Sequence, residues 1–288
     1  MKKRRIEIAV ISDVHLGSYQ CHAEELLAYL SSIRPKKLIL NGDIIDGGRT
    51  VQSYFPEAHF KVLKKIFSMA AGGTEVYYLC GNHDAMLRKF SGYRLRTFHV
   101  RNKLQLNLDG KQAWIFHGDA FDLMPGAGKR LARIGTSGYG FLLGMTRGVN
   151  WIRVKLGKEP ISQASRLRKN PEKSARIIRR FQKTISDLAI LNGFDYIICG
   201  HLHIAAKEWM ETPAGKTLYL NSGDWVENLT ALEYNFKRWK LYRYDEDKLS
   251  PFFADEDLKE MDINDLIASI VARKEVREER QKEKPSGE

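Results

Sequence analysis

The stretch Ile6-Glu-Ile-Ala-Val-Ile-Ser-Asp-Val-His15 joins an apolar, β-branched run to two potential metal ligands. A run of this length and composition predicts a buried strand. Side chains two residues apart on a strand share one face, so Asp13 and His15 can bind the same metal ion. The stretch therefore predicts a metal site at the carboxyl end of the first strand.

Four further motifs of this kind occur later, each directly after an apolar run. They are Gly42-Asp43, Gly81-Asn82-His83-Asp84, His117-Gly118-Asp119 and Gly200-His201-Leu202-His203. Their carboxylate, amide and imidazole groups suit Mn, Fe or Zn. The five motifs together predict a site for phosphoester hydrolysis with two divalent metal ions, of which Mn is the first choice and Fe or Zn the alternatives.

The residue types also assign roles within such a site. Asp43 can bridge the two ions, because a shared carboxylate holds them at the spacing that two-metal hydrolases use. His203 would complete the ion held by Asp13 and His15. The other ion would be completed by three residues: Asn82, His117 and His201.

His83 lies beside a predicted ligand but need not bind metal, so it can stabilise developing negative charge or protonate the leaving oxygen. Asp84 can orient His83, and Asp46 and Asp119 fit the same supporting role. The chain places neither Ser nor Cys beside a base as a covalent nucleophile. Direct attack by metal-activated water is therefore expected.

Each motif alone has an ordinary explanation, because Asp-x-His or Gly-Asp usually caps a turn or makes a hydrogen bond in a core. Polar residues packed after a strand are costly to bury without partners. Five such motifs in order, each after a strand, favour the metal site over unrelated structural roles.

The apolar pattern of residues 6–80 predicts βαβαβ order. Strands are predicted at 6–12, 37–41 and 75–80, and helices at 23–33, before Pro35, and from Pro56 to Gly72. This order is typical of a largely parallel sheet with helices outside it. The expected fold class is α/β.

Beyond Asn82 the pattern predicts a second, more antiparallel sheet. Residues 104–108 and 112–116 flank the turn signal Asp109-Gly110. A helix from Asn170 to Gly193 precedes a strand at 196–199. Three further strands, 217–221, 229–234 and 239–244, are expected to complete the second sheet.

The segment 121–176 separates two motifs and is both basic and apolar, with twelve Lys and Arg against three acidic residues. Such a mixture suits the boundary of an anionic bilayer or a pocket for an acylated phosphate compound. Phe141, Leu142 and Trp151 are candidate substrate contacts, and so is Arg88 outside the segment. The alternatives are a helical cap with a basic solvated face and, for Arg88, a surface charge.

A single site assembled from residues 13 to 203 requires one catalytic domain. We expect this domain to comprise residues 1–120 and 177–250, with 121–176 as a helical insertion or lid. Residues 251–288 are expected to form a helical extension that ends in a charged, disordered tail.

The chain has 47 Lys and Arg against 35 Asp and Glu, which favours an anionic partner. Cys21, Cys80 and Cys199 are expected to be reduced core thiols of a cytosolic protein. Glu7 interrupts the first apolar run and ligands follow it at once, so no signal peptide is expected. No apolar run is long enough for an ordinary transmembrane helix, so the protein is expected to be soluble or peripheral to a membrane.

At these residues the sequence resembles the calcineurin-like metallophosphoesterase family. The family pattern is Asp-x-His, Gly-Asp-x-x-Asp, Gly-Asn-His-Asp, a His in a His-Gly-Asp context, and Gly-His-x-His. The resemblance covers residues 5–245 of the chain. It implies a two-sheet α/β sandwich with metals at the carboxyl ends of strands, and the ligand roles assigned above.

Within this family the chain is most similar to the UDP-2,3-diacylglucosamine hydrolase branch of bacterial lipid A synthesis. The similarity lies in overall size, a segment inserted after His-Gly-Asp, and residues 221–227 after the histidine pair. It implies pyrophosphate cleavage to UMP and lipid X at the cytoplasmic face of the inner membrane, with the insertion sheltering acyl chains. The best-known members of that branch carry Arg where this chain has His83, so the resemblance is to a wider, related group.

Two other functions remain open at this point. A nuclease or cyclic-nucleotide phosphodiesterase would also use the positive charge, but the cations cluster with aliphatic residues, so no specific nucleic-acid partner is expected. A non-catalytic interaction module of the same fold is the third possibility. The chain retains every predicted ligand, which favours an enzyme.

Overall fold

The structure is a computed structural model that describes residues 3–47, 54–122, 138–157 and 171–247. Within these ranges, twelve strands form two mixed sheets with helices on their outer faces. The helices are α1 (Ala23–Ser32), α2 (Glu57–Ala71), α3 (Gly138–Lys155) and α4 (Pro171–Leu191). The predicted extension at 251–288 lies outside the described residues.

The first sheet begins with the predicted βαβαβ unit. Its strands β1 (Arg4–Ile11), β2 (Ile33–Asn41) and β3 (Glu75–Leu79) are parallel, and α1 and α2 connect them. The parallel strands bring the ends of the first three motifs to one edge. One boundary differs from the prediction, because α1 ends at Ser32 and Pro35 lies inside β2, paired with Ile6.

The remaining strands follow in chain order. They are β4 (Arg94–Leu95), β5 (Phe98–Arg101), β6 (Lys103–Leu108), β7 (Lys111–Phe116), β8 (Tyr196–Cys199), β9 (Ala206–Thr212), β10 (Gly215–Asn221), β11 (Thr230–Asn235) and β12 (Arg238–Arg243). The order of the first sheet is β12-β11-β1-β2-β3-β5-β4, and that of the second is β6-β7-β8-β10-β9.

The prediction that the last three strands complete the second sheet is wrong for two of them. Only β10 joins that sheet, whereas β11 pairs antiparallel with β1, aligning Tyr234 with Ile8, and β12 pairs with β11. The physical reason is that β2 pairs with one side of β1 only. Strand β11 satisfies the backbone groups on the other side, which would otherwise be an open edge.

The sheets pack face to face over an apolar core that includes Val10 and Ile39 from the first sheet and Ile115 and Ile198 from the second. A second core lies beneath α1 and α2, and a third lies between the second sheet and the helices α3 and α4. This layered arrangement confirms the predicted two-sheet α/β sandwich.

The three cysteines form no disulfide, and Cys80 and Cys199 are buried as predicted. Burial raises the pKa of each of these thiols to about 12, so both stay protonated. Cys21 is only partly buried and packs against the edge of the core beneath α1 and α2.

Candidate metal centre

The predicted ligands meet where the strands end, and their backbone is unusual. Five of them have φ between 52° and 67°, in the left-handed region: Asp13, His15, Asp43, His201 and His203. Non-glycine residues adopt this region uncommonly, and such conformations concentrate at functional sites. The turns that aim these side chains are therefore held by surrounding structure rather than by local preference.

The first group of potential ligand atoms belongs to Asp13, His15 and His203, and these atoms all lie within 4.8 Å of one another. Nε2 of His203 is 3.3 Å from Oδ1 of Asp13. Burial alone would raise the pKa of Asp13, but His203 outweighs it and lowers the pKa to about 2. Asp13 is therefore ionised, as a metal ligand must be.

The second group consists of Asp43, His117 and His201 and meets the same distance limit. Nε2 of His117 is 3.2 Å from Oδ2 of Asp43. Nδ1 of His117 donates to the backbone carbonyl of Asn41 at 2.9 Å, which leaves Nε2 for a metal. Both groups agree with the division of ligands expected from the sequence.

The donor sets fit divalent metal ions. Among the described residues, several buried polar atoms at the centre lack a hydrogen-bond partner, namely Oδ1 of Asp13, Nε2 of His15, Oδ1 of Asn82 and Nε2 of His117. Unsatisfied buried polar atoms are rare in folded proteins. Oxygen and imidazole nitrogen atoms left in this state, beside two buried carboxylates, match what Mn, Fe or Zn requires.

Each carboxylate also holds a neighbouring loop with its other oxygen. Oδ2 of Asp13 accepts a hydrogen bond from the backbone N–H of His201 at 2.9 Å. Oδ1 of Asp43 accepts one from the backbone N–H of His83 at 2.8 Å. The two carboxylates therefore position the later motifs as well as offering oxygen to an ion.

Two further carboxylates support the histidine ligands, and the sequence analysis missed both. Oδ1 of Asp122 lies 2.8 Å from Nε2 of His201, so that ring presents Nδ1 to the centre. Oδ2 of Asp224 lies 3.9 Å from Nδ1 of His203. The other carboxylate oxygen of Asp224 accepts hydrogen bonds from the backbone N–H groups of residues 226–228. Both carboxylates could have been found from their positions in the sequence. Asp122 lies five residues beyond His117, and Asp224 follows strand β10.

The imidazole of His83 is exposed at the rim of the centre, edge-on to His15 with ring centroids 4.7 Å apart. Its Nδ1 lies 3.0 Å from Oδ1 of Asp46. Partial burial lowers the pKa of His83, but the hydrogen bond to Asp46 and the charges of Asp43 and Asp46 outweigh it and raise the pKa to about 9. These contacts keep the ring protonated and oriented.

The expectation that Asp84 orients His83 is wrong. The Asp84 carboxylate accepts hydrogen bonds from the Tyr78 hydroxyl at 2.7 Å and from the backbone N–H groups of Ile44 and Gly81. It therefore ties two motif loops together, because it is fully buried beneath them. Asp46 is the residue that orients His83.

Arg88 is neither a surface charge nor placed for substrate contact. It is buried and donates to Oδ2 of Asp119 at 2.8 Å and to the carbonyl of Gly81 at 2.9 Å. Buried charges need such partners. The pair links the loop that carries Asn82 to the loop that carries His117, which gives Asp119 its supporting role.

The three candidate contacts in the insertion lie in different surroundings on α3. Leu142 is only 2 % exposed and packs in the core beneath the helix, so the expectation that it contacts substrate is corrected. Phe141 and Trp151 are 66 % and 60 % exposed. Their proposed substrate contact stays a prediction. No helix in the described ranges is long and apolar enough to span a membrane.

Comparison with known proteins agrees with this geometry. Residues 6–205 match the family model described as calcineurin-like phosphoesterase. The chain matches none of the curated proteins by sequence.

Three solved structures are similar at low identity. An archaeal phosphodiesterase is 13 % identical, covers 82 % of this chain and 98 % of its own, and has a TM-score of 0.42. A dimetal phosphatase from Danio rerio is 11 % identical, with the same two coverages and a TM-score of 0.41. A phosphopantetheinyl hydrolase from Mycobacterium tuberculosis is 12 % identical, covers 86 % and 99 %, and has a TM-score of 0.34. These scores are too low to transfer an activity.

The family match spans more than half of the chain and shows that it belongs to the calcineurin-like phosphoesterase family.

Proposed function

We propose that the protein hydrolyses a phosphoester or pyrophosphate bond with two divalent metal ions, Mn before Fe or Zn. The observation that carries this proposal is the pair of adjoining ligand groups, Asp13, His15 and His203 beside Asp43, His117 and His201. Oδ1 of Asn82 is buried without a hydrogen-bond partner and would complete the ligands of the second ion. When bound there, divalent ions supply Lewis-acid stabilisation of a phosphoryl group.

In this proposal His83 donates a proton to the leaving oxygen. Asp46 holds Nδ1, so the other ring nitrogen, Nε2, carries the transferable proton. The pKa of about 9 keeps that proton in place at neutral pH. Neutralisation of Asp43 by bound cations would lower this pKa towards the range in which a general acid is effective.

We further propose that the substrate is UDP-2,3-diacylglucosamine or a similar nucleotide-linked lipid, cleaved to UMP and a lipid phosphate. Residues 121–176 would act as a lid on the catalytic domain of residues 1–120 and 177–250. The exposed side chains of Phe141 and Trp151 support this reading, because large exposed apolar groups mark binding sites. Such a substrate would place the protein at the cytoplasmic face of an anionic inner membrane.

The test is UMP release from UDP-2,3-diacylglucosamine by the full chain after chelation and addition of Mn²⁺. A small chromogenic phosphodiester is assayed in parallel, and Asp43→Asn is the inactive control. We expect wild type to act on both substrates, and Asp43→Asn on neither.

The other outcomes of this assay distinguish the alternative functions. Hydrolysis of the small diester alone would keep the two-metal reaction and reject the lipid substrate. Salt-sensitive hydrolysis of single-stranded DNA in preference to the lipid would favour the nuclease alternative. Absence of both turnover and metal binding would leave a non-catalytic member of the family.

A further inference from the structure

Residues 86–96, here called the edge surface, expose an unusual set of side chains. The segment begins three residues after His83 and ends just after β4, an edge strand of the first sheet. Four large apolar side chains are exposed on it: Met86 (55 %), Phe90 (41 %), Tyr93 (68 %) and Leu95 (38 %). Phe90 and Tyr93 contact each other, and four such exposed side chains within eleven residues favour a contact surface over scattered surface residues.

The same region is strongly basic. No acidic residue occurs from position 85 to 108, whereas six Lys and Arg do. Arg88 is used internally by Asp119. Within the described part of the chain, Lys89, Arg94, Arg96 and Arg101 form no ion pair with a carboxylate. Lys89 and Arg94 are also exposed, so their charge is available to an anionic partner.

The chemistry of the exposed groups favours a bilayer over a nucleic acid. The ammonium group of Lys89 lies 5.0 Å from the centre of the Phe90 ring and covers one of its faces. Tyr93 meets the same ring edge-on, with centroids 5.8 Å apart. Base stacking needs open aromatic faces, and Met86 and Leu95 offer none. Cations around mixed aliphatic and aromatic groups are typical of the headgroup boundary.

We propose that the edge surface docks on an anionic lipid bilayer. Lys89 and Arg94 contact lipid phosphates, while Tyr93 and Leu95 enter the boundary between headgroups and acyl chains. Docking here brings the rim that carries His83 to the membrane. This placement would bring the centre close to a lipid substrate, so its role in catalysis rests on the proposed function. Docking itself is measured without turnover.

The test is co-sedimentation of the full chain with vesicles of phosphatidylcholine alone, or of phosphatidylcholine and phosphatidylglycerol in equal parts. The charge variant is Lys89→Glu with Arg94→Glu, and the apolar variant is Tyr93→Ser with Leu95→Ser. A control away from the edge surface is Trp209→Ser with Lys216→Glu. Trp209 is 55 % exposed and Lys216 lies 5.4 Å from its ring, on the edge of the second sheet.

We expect wild type and the control to bind only the anionic vesicles, and more weakly as salt is raised. The charge variant should bind at least about tenfold more weakly, because each cation near an anionic surface contributes. The apolar variant should also lose binding. All variants should keep the wild-type melting temperature and turnover of the small phosphodiester, which separates failed docking from a failed fold or a failed proposed function.

Several results would overturn the proposal. Equal binding by wild type and the charge variant would show that the cations are not used. Loss of binding in Trp151→Ser with Ile152→Ser, but not in the edge variants, would move the contact to α3. Tighter binding of single-stranded DNA than of anionic vesicles, lost in the charge variant, would assign the surface to nucleic acid.

Discussion

Two histidine ligands of the centre, His117 and His201, are each fixed by a second hydrogen bond. The carbonyl of Asn41 fixes His117, and the carboxylate of Asp122 fixes His201. Such partners choose which ring nitrogen faces a metal, and their loss typically weakens metal binding about 10- to 100-fold. At the scale of single residues, the centre thus depends on groups that need not touch an ion themselves.

Asp46 and His83 should behave as one unit in the reaction. We expect His83→Gln to lower kcat about a hundredfold or more on an ester with a poor leaving group, because no proton reaches the departing oxygen. Asp46→Asn should lower kcat by a smaller factor, and the double variant should match His83→Gln alone. The measurement is kcat for phenyl and 4-nitrophenyl esters.

The nitrophenyl ester is the internal control, because its leaving group departs without a proton and both variants should act on it nearly as wild type. Bound metal, measured by elemental analysis, should be unchanged in both variants. If the losses in kcat of the two single variants added up in the double variant, Asp46 and His83 would act independently, which would contradict this prediction. Loss of metal in Asp46→Asn would make Asp46 a ligand, as its place near His15 permits.

At the scale of elements, the strand-end loops pack so closely that glycine is required where they cross. A Cβ atom on Gly200 would lie 2.6 Å from Oδ2 of Asp13. One on Gly81 would overlap the Asp43 carboxylate. The glycine of a later motif therefore leaves room for a ligand of an earlier one, which explains why motifs distant in sequence share this residue.

Gly81→Ala should displace Asp43 and lower kcat about a hundredfold, because small misplacements of reacting groups are costly. Gly144→Ala is the matched control, since a Cβ atom there meets nothing within 4 Å and alanine favours a helix. For both variants we would measure kcat and the number of metal ions bound per chain. Full activity in Gly81→Ala would mean that the loop shifts without moving the ligand.

Helix α3 offers neighbouring positions with opposite surroundings. Leu142→Ala should lower the free energy of unfolding by about 2–5 kcal/mol, because it leaves a cavity in the core. Phe141→Ala should change it by less than about 0.5 kcal/mol, since the side chain is exposed. Urea unfolding measures both changes.

The same pair tests the proposed lid. Phe141→Ala should raise KM for the acylated substrate and spare the small diester. An equal KM change on both substrates would reject the lid. A stability loss in Phe141→Ala as large as that in Leu142→Ala would contradict the packing of α3.

At the scale of the whole molecule, the centre joins the two sheets. Asp13 and Asp43 follow strands of the first sheet, whereas His117 and His201 follow strands of the second. An ion held by Asp43, His117 and His201 would therefore connect both layers. Metal binding and global stability are linked for this reason.

Chelation should lower the Tm of the wild-type protein by several degrees. Free metal at a hundred times its Kd stabilises a fold by about 2.7 kcal/mol. Asp43→Asn should show a smaller Tm difference between chelated and Mn²⁺-supplemented samples, because it lacks the shared carboxylate but keeps the group of Asp13, His15 and His203. Differential scanning calorimetry measures both proteins, and an unchanged wild-type Tm would contradict metal binding at this centre.

The sequence alone determined the βαβαβ unit, the hairpin and the five motifs, because apolar periodicity and ligand type are local properties of the chain. It also predicted that Asp13 and Asp43 lie close together, since strand ends in a parallel sheet meet at one edge. The specific lipid substrate and the choice of metal stay predictions, because neither follows from the ligands themselves.

Only the tertiary structure decided how distant elements pair. It placed β11 and β12 beside β1, gave Asp46 rather than Asp84 to His83, and brought Asp122 to His201. It also buried Arg88 and Leu142 while exposing Met86, Phe90, Tyr93 and Leu95. These outcomes depend on which strand fills an open edge and which side chains then meet, and such long-range contacts leave no periodic signal in the chain.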